Sequence, residues 1–472
     1  MNELEILFQQ LTNEKLLSNK ELSASGSNRK YFRLKSENTS IIGVEGTSVE
    51  ENRAFIEMAK HFYKIGLPVP QFLMQSSDGL YYIQEDLGDT LLFDFIADGR
   101  KTGVFHEKEK EMLRKTMRKL AEIQVLGAKG FDFSVCYPQP KFNVRSILWD
   151  LNYFKYCFLK ATGLDFQENC LEDDFKKMSD VLLRSDTNTF LYRDFQSRNV
   201  MIKDDEPYFI DFQGGRKGPV YYDVASFLWQ AKAKYHEELR QELLQVYLDA
   251  LGKLMPIDEK DFCEQLKHFV LFRTIQVLGA YGFRGYFEKK PHFLQSIPFA
   301  MENLRTILNE AEIPEYPYLV EILKQITELE QFREISRKPL VVKVYSFAYK
   351  KGIPNDDSGN GGGFVFDCRA VNNPGKYERY ENLTGLDETV INFLETDGEI
   401  TKLLGHARKM VDASVQRYKD RGFTNLMVSF GCTGGRHRSV YSAQKMAEHI
   451  NKKFGVEVQL IHREQNIFLE YR

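Results

Sequence analysis

"LYRDFQSRNVMIKDDEPYFIDFQGGRKGPVYYDVASFLW", Leu191 to Trp229, is the stretch on which the fold reading turns. Asp194 and Asn199 stand five residues apart, in a loop that follows the β-rich run "TFLYRD". Asp211 comes twelve residues after Asn199, at the end of a second such run, "PYFIDF", and next to Phe212. Phosphoryl transfer needs this set: one aspartate to take the acceptor's proton, and an amide oxygen and a second carboxylate to hold Mg²⁺ on the nucleotide phosphates. A lone DxxxxN spacing arises by chance, and an aspartate at a strand end often only caps a helix or turn. Both motifs together, strand-flanked and in this order, point to phosphoryl-transfer chemistry.

The chain around this stretch has ordinary globular composition. Its 472 residues suffice for two or more domains with real cores, and 43% apolar with 28% charged residues excludes disorder over most of the length. No apolar run reaches the length of a membrane span, and "MNELEILFQQLTNEKL" reads as an acidic amphipathic helix without a signal-peptide core, so the expected location is cytoplasmic. The six cysteines are dispersed with no CxxC, which argues for reduced thiols and against a zinc site. Net charge is −3, with a modest basic excess from Arg337 onward. That excess permits an anionic ligand without demanding nucleic acid.

Along the chain, residues 1–20 read as a helix, followed by the β-rich runs "KYFRLK", "SIIGVEG" and "YYIQEDL" around one amphipathic helix, "ENRAFIEMAKHFYKIG". Helical periodicity then dominates around 107–128, 144–162 and 172–185, and resumes from "YDVASFLW" to about Leu308. A proline-containing bridge leads into the strands "LVVKVYSFAY", "GFVFDCRA", "NLMVSFGC" and "VEVQLIHRE", with helices at 387–420 and 438–453 and an exposed loop at 355–363. The expectation is a β-rich lobe and a helical lobe over residues 1–310, a helical linker over 311–338, and an α/β domain over 339–472.

Residues 1–310 resemble the aminoglycoside phosphotransferase family, a branch of the protein-kinase-like bilobal α+β fold. The resemblance rests on "GLPVPQFL", "YYIQEDLGD", the Asp194–Asn199 and Asp211 motifs, and "GPVYYDVASFLW". Within the family, "SGSNRKYFRL", "RDFQSRNVM" and "IDFQGGRKGP" look most like the anomeric kinases for N-acetylmuramate and N-acetylglucosamine, which make sugar 1-phosphates for cell-wall recycling. It implies ATP and Mg²⁺ as cofactors, Asp194 as the base, Asn199 and Asp211 as metal ligands, and Asp223 as a brace for the catalytic loop. Glu85, on the hinge side, and the turn Ser25, Gly26, Ser27, Arg29 and Lys30 would contact the nucleotide.

Departures from the family pattern are informative. Tyr192 stands where the motif histidine belongs, so the loop aspartate would lack that packing partner. "SIIGVEG" lacks the strand lysine that grips the α- and β-phosphates, and Arg29 or Lys30 could substitute; Lys35 reads as a solvated charge. "SILWDLNYFKYCFL", 146–159, is a helix of the type that borders the acceptor pocket, where Asp150 and Asn152 could bond sugar hydroxyls. Trp149, Tyr153 and Phe154 on the same helix read as core.

The run "GCTGGRHRSV", 431–440, has cysteine-phosphatase spacing, since five residues separate Cys432 from Arg438 and Ser439 follows. Yet Gly431 precedes the cysteine where histidine is usual, and a glycine turn between strand and helix also makes a plain anion site. Binding is therefore expected over hydrolysis. Together with "SFAYKKGIP", "FVFDCRAVNNPG" and "LTGLDETV", the run resembles the C-terminal domain of the RapZ family across nearly all of 339–472. That resemblance implies binding of glucosamine 6-phosphate by Lys350, Thr433, Gly434, Gly435 and Arg438, and participation in small-RNA recognition. Gly375 and Lys376 replace the family's histidine and aromatic after Pro374, and a kinase-like half replaces its Walker-loop domain, so RNA binding carries over poorly. The combined expectation is a sugar kinase fused to a sugar-phosphate-sensing domain, with oligomers possible. The alternatives are an RNA- or protein-binding adaptor with a degenerate kinase half, or a kinase of aminoglycosides or other small alcohols.

Overall fold

The computed structural model describes residues 3–22, 29–185, 188–294, 296–330, 332, 340–356, 358, 362–421 and 423–471. Ser25, Gly26 and Ser27 of the expected nucleotide turn lie outside these, as do Asp357, Gly359, Asn360 and Gly361 of the 355–363 loop. The chain divides into two compact units, Met1–Lys289 with Ser296–Leu329, and Lys290–Gln295 with Glu330–Arg472.

The first unit begins with a five-stranded antiparallel sheet of order β1-β2-β3-β5-β4, from Ser18–Leu22, Lys30–Lys35, Ser40–Glu45, Tyr81–Glu85 and Phe72–Gln75 respectively. The expected first helix is shorter than its sequence pattern, Glu3–Thr12, and its tail becomes the edge strand β1. Leu4, Leu7 and Phe8 of that helix bury against Leu34, Ile41 and Ile83 of the sheet, so alternation in the strands and helical spacing in the helix meet in one apolar cluster. The helix Val49–Lys64 starts where Ser48 accepts the Glu51 amide at 3.2 Å. Its inner face reaches the phosphoryl-transfer motif, since Phe55 stacks on Phe212 with ring centroids 4.8 Å apart.

The helical lobe is organised by Glu259–Gly282, which packs against Val144–Phe154, Tyr221–Leu228 and Ile297–Glu310. A Cβ at Gly279 would lie 2.8 Å from the backbone nitrogen of Phe154, and one at Gly282 only 2.3 Å from the carbonyl of Cys157. These two glycines let the helix bearing Asp150 dock backbone-close on the helix bearing Arg273. The Val144–Phe154 helix continues through a π-turn, Lys155–Leu159, which the periodicity of 144–162 had masked.

Two small two-stranded sheets present the motifs. β6 (Thr189–Leu191) pairs with β9 (Arg216–Gly218), and β7 (Val200–Lys203) pairs with β8 (Glu206–Phe209). The expected strand "PYFIDF" therefore ends at Phe209, and "NVMIK", not read as a strand, is its partner. Pro317–Glu328, inside the expected linker, is a helix packed on Ile297–Glu310 and Glu168–Leu182 of this unit.

The second unit carries a sheet of order β11-β12-β10-β13-β14, from Phe364–Asp367, Asn425–Cys432, Val341–Ala348, Glu457–His462 and Ile467–Tyr471. The first four are mutually parallel, and the last is an antiparallel edge. The helix expected over 387–420 is two helices, Glu388–Asp397 and Glu399–Arg421, because Gly398 at φ 78° ends the first. Among the described residues no helix is long and apolar enough to cross a membrane.

Candidate active site

The loop between β6 and β7 is set by buried hydrogen bonds. Asp223 is fully buried, and its carboxylate accepts the backbone amides of Tyr192 and Arg193, each at 2.8 Å, and the Gln124 side chain at 3.0 Å. Burial pushes its carboxyl up to about 7, against the pull of these donors. Gln124 is in turn fixed by the Tyr247 hydroxyl at 2.5 Å. The brace expected at Asp223 is thus present as geometry.

The expected loss of a packing partner at Tyr192 is corrected by the structure. Tyr192 is fully buried among Phe190, Phe195, Phe209 and Phe212, and its hydroxyl donates to the carbonyl of Ile210. A tyrosine reaches further than an imidazole, so it ties the loop to the residue before Asp211.

Asp194, Asn199 and Asp211 are brought together. The Asn199 amide donates to the Asp194 carbonyl at 2.8 Å and lies 3.3 Å from the Asp211 carboxylate. Asp211 takes a left-handed φ of 65° and accepts from Gln213 at 2.7 Å. Burial raises its carboxyl above the ordinary range. Asp194 is half-exposed, and Arg273 reaches to 3.9 Å of it. Asn199 spends its NH₂ on these bonds, so its amide oxygen is the atom a cation would take. Among the described residues no group of three or more His, Cys, Asp or Glu side chains is placed to hold a metal alone. One carboxylate and one amide oxygen fit a cation that keeps water and phosphate oxygens as its remaining ligands, as Mg²⁺ does.

The other expected residues divide. Arg29 is buried and paired with Glu51 at 3.2 Å, on the helix that carries Phe55. Lys30 is exposed, 3.9 Å from Glu45. The Glu85 side chain accepts from Lys203 at 2.5 Å and from the Gln71 amide at 3.2 Å, so its carboxylate is committed to protein groups. Asp150 lies 3.7 Å from Arg193, beside the catalytic loop, while Asn152, two residues on and so on another face of the helix, is half-buried. Of the three aromatics expected in the core, only Phe154 is buried; Tyr153 is half-buried against Phe283, and Trp149 is 51% exposed. The Val144–Phe154 helix meets the Glu259–Gly282 helix with the face opposite Trp149, which periodicity could not orient.

Sequence reasoning missed Arg193, Arg216, Arg273 and Glu51. The first two lie within the quoted stretch, and Arg193 has a left-handed φ of 79° that only the structure reveals.

In the second unit, "GCTGGRHRSV" joins β12 to the helix Arg438–Phe454. Thr433 and Gly434 are exposed, as is Lys350 just past the end of β10, and β10 and β12 end side by side with Ala348 opposite Cys432. Gly435 has φ 67°, and a Cβ there would lie 2.8 Å from the Ala348 nitrogen. Cys432 is buried with Sγ 3.1 Å from Ser439 Oγ. Arg438 is also buried; it donates to the carbonyls of Arg369 and Val371 at 2.8 and 2.7 Å. In this structure that guanidinium ties down the segment after β11.

The sequence profile of the phosphotransferase enzyme family matches residues 18–257, and the chain belongs to that family. The profile of the RapZ C-terminal domain matches residues 340–466. A nucleotide-binding protein of Xanthomonas oryzae pv. oryzae (strain PXO99A) is 36% identical over 121 residues, 26% of this chain and 41% of that protein. One of Xylella fastidiosa (strain M12) is 39% identical over 119 residues, 25% of this chain and 39% of that one. The chain thus spans about two fifths of the length of the curated relatives it matches. Among solved structures, choline kinase LicA from Streptococcus pneumoniae covers 65% of this chain and 100% of its own at 11% identity and TM-score 0.45. ADP-bound aminoglycoside phosphotransferase APH(2'')-Ib covers 65% and 98% at 17% identity and TM-score 0.44.

Proposed function

We propose that this member of the phosphotransferase family transfers the γ-phosphoryl group of ATP to a sugar hydroxyl, with N-acetylmuramate or N-acetylglucosamine as acceptor and the 1-phosphate as product. The observation that carries the reading is the convergence of Asp194, Asn199 and Asp211 around one amide, two loops brought to hydrogen-bond distance. Asp194, the half-exposed carboxylate, takes the proton of the acceptor hydroxyl as the new oxygen–phosphorus bond forms and the bond to ADP breaks. Arg273 keeps a positive charge beside that carboxylate. Asn199 and Asp211 would hold Mg²⁺, which offsets charge on the transferring phosphates. Arg29, fixed by Glu51, is our candidate for the cation that the strand lysine supplies elsewhere.

The second unit, in this reading, binds an amino-sugar phosphate at the exposed Thr433–Gly434 turn with Lys350 nearby. The support is an exposed glycine turn ahead of a helix N-terminus, with Thr433, Gly434 and Lys350 open to solvent. Ligand there would tune the kinase; equal kinase rate and ATP affinity with and without glucosamine 6-phosphate would remove that coupling. The reading as a whole is tested by following phosphate from ATP onto a panel of amino sugars, aminoglycosides and small alcohols. Transfer to an N-acetylhexosamine that disappears in Asp194→Asn supports it. Transfer only to aminoglycosides or small alcohols, or none, would sink it.

A further inference from the structure

Cys368 and Cys432 face each other across two neighbouring strands of the second unit. β11 and β12 run parallel, with Phe364 opposite Val428 and Asp367 opposite Gly431. The pairing goes one residue further, since the Cys368 amide donates to the Gly431 carbonyl at 2.8 Å. Continuing that register puts Cys368 opposite Cys432. Side chains of register partners leave the sheet on one face. Two residues earlier Phe366 and Phe430 do so, stacking with ring centroids 5.1 Å apart.

The helix Arg438–Phe454 reports the same juxtaposition from the covering side. Cys432 Sγ lies 3.1 Å from Ser439 Oγ, and Cys368 Sγ lies 3.6 Å from Ser442 Oγ. Ser439 and Ser442 are three apart, so they are neighbours on one helical face and hold both sulfurs under a single turn. Both thiols are free, buried and part of one apolar cluster. Paired strands lie about 4.7–4.9 Å apart, within the span of about 4.4–6.8 Å between α-carbons that a disulfide bridges. β11 is the edge strand, so Cys368 is held by strand pairing on one side only and can adjust.

We infer that Cys368 and Cys432 form a reversible disulfide within the folded second unit when a hydroperoxide is present. With hydrogen peroxide, the Cys432 thiolate attacks one oxygen and the O–O bond breaks. Cys432 becomes a sulfenic acid, and the departing hydroxide takes up a proton as water. The Cys368 sulfur then attacks Cys432 Sγ, the S–O bond breaks, and hydroxide leaves with the Cys368 proton as a second water. Two thiols have lost two electrons and two protons, and one peroxide has become two waters. Burial pushes the Cys368 thiol up to about 12, against the pull of Ser442 and Arg438. That suits it to the second step, while Cys432 adjoins the exposed Thr433 and reacts first. The bond would fasten the segment whose carbonyls Arg438 holds to the strand end that leads into the glycine turn. The phosphotransfer reading uses neither thiol, so the two stand or fall separately.

The test uses the full chain, reduced, desalted and treated with hydrogen peroxide under native conditions. Remaining thiols are alkylated, and the chain is digested without reductant for a peptide map by mass spectrometry. The expected result is one dominant linked pair containing Cys368 and Cys432, lighter than the reduced peptides by two hydrogens and separated again by dithiothreitol. Cys368→Ser and Cys432→Ser should each abolish it. Exposed Cys263 reports that the oxidant has reached the chain. Should either variant fail to fold, the wild-type map decides alone, against a sample oxidised in urea where this link should be one among several. Cys368 and Cys432 still reduced when Cys263 is fully oxidised, sulfinic acids on either without a link, links to other cysteines in equal amount, or a link formed only in urea would each overturn the inference.

Discussion

The hydroxyl of Tyr192 donates to the carbonyl of Ile210, so the residue two before Asp194 is tied to the residue before Asp211. One buried side chain thereby couples the two loops that carry the candidate chemistry. Tyr192→Phe leaves the ring packing intact but strands the Ile210 carbonyl, at a cost of about 1–3 kcal/mol. Denaturant unfolding should register that loss, and KM for ATP should rise more than KM for the acceptor. Unchanged stability with unchanged kinetics would mean the tie is incidental.

Asp194→Asn should lower phosphate transfer about 10²–10⁴-fold, the usual contribution of a positioned base. ATP affinity, measured by titration, should stay within about threefold, because Asp194 is not among the proposed metal ligands. A large loss of ATP binding would move Asp194 from base to nucleotide ligand.

Asp223 gives a pH signature. Its carboxyl titrates near 7 in the folded chain, above its ordinary value of 3.8, so between these limits the native state holds the extra proton. Its contribution is therefore fully favourable below about pH 4 and declines as pH rises through 7. The stability difference between wild type and Asp223→Asn should shrink over that window; a difference that grows would reverse the assignment.

His462 behaves in the opposite sense. It is buried between Ser346 at 2.9 Å and Gln444 at 3.2 Å, and burial lowers its imidazole to about 4. The unfolded chain binds the proton first, so acidification from 6.5 towards 4 should destabilise the second unit. His462→Gln should flatten that acid limb in a thermal-melt series.

Cys432 and Arg438 separate binding from hydrolysis. Cys432→Ser should bind glucosamine 6-phosphate as the wild type does, and neither should release phosphate from it. Arg438→Ala should lower stability by about 2–3 kcal/mol, because the carbonyls of Arg369 and Val371 lose their charged donor. Phosphatase activity abolished by Cys432→Ser would restore the enzymatic reading of that loop.

The spacing of Asp194, Asn199 and Asp211, the phosphatase-like run at 432–438 and the change from β-rich to helical patterning are local features. Strand alternation, helix period and turn residues act over a few positions, so the chain itself determined its family and its two architectures. Side-chain partners from distant segments were decided by packing. Arg193 meets Asp150 on a helix that Gly279 and Gly282 let dock closely, and Trp149 is exposed because the opposite helical face was the one covered. Tyr192 stands where the motif histidine belongs and its longer reach finds Ile210, and Arg438 anchors carbonyls because the segment after β11 folds beneath it. Periodicity states which residues can be buried; only the tertiary contacts state against what.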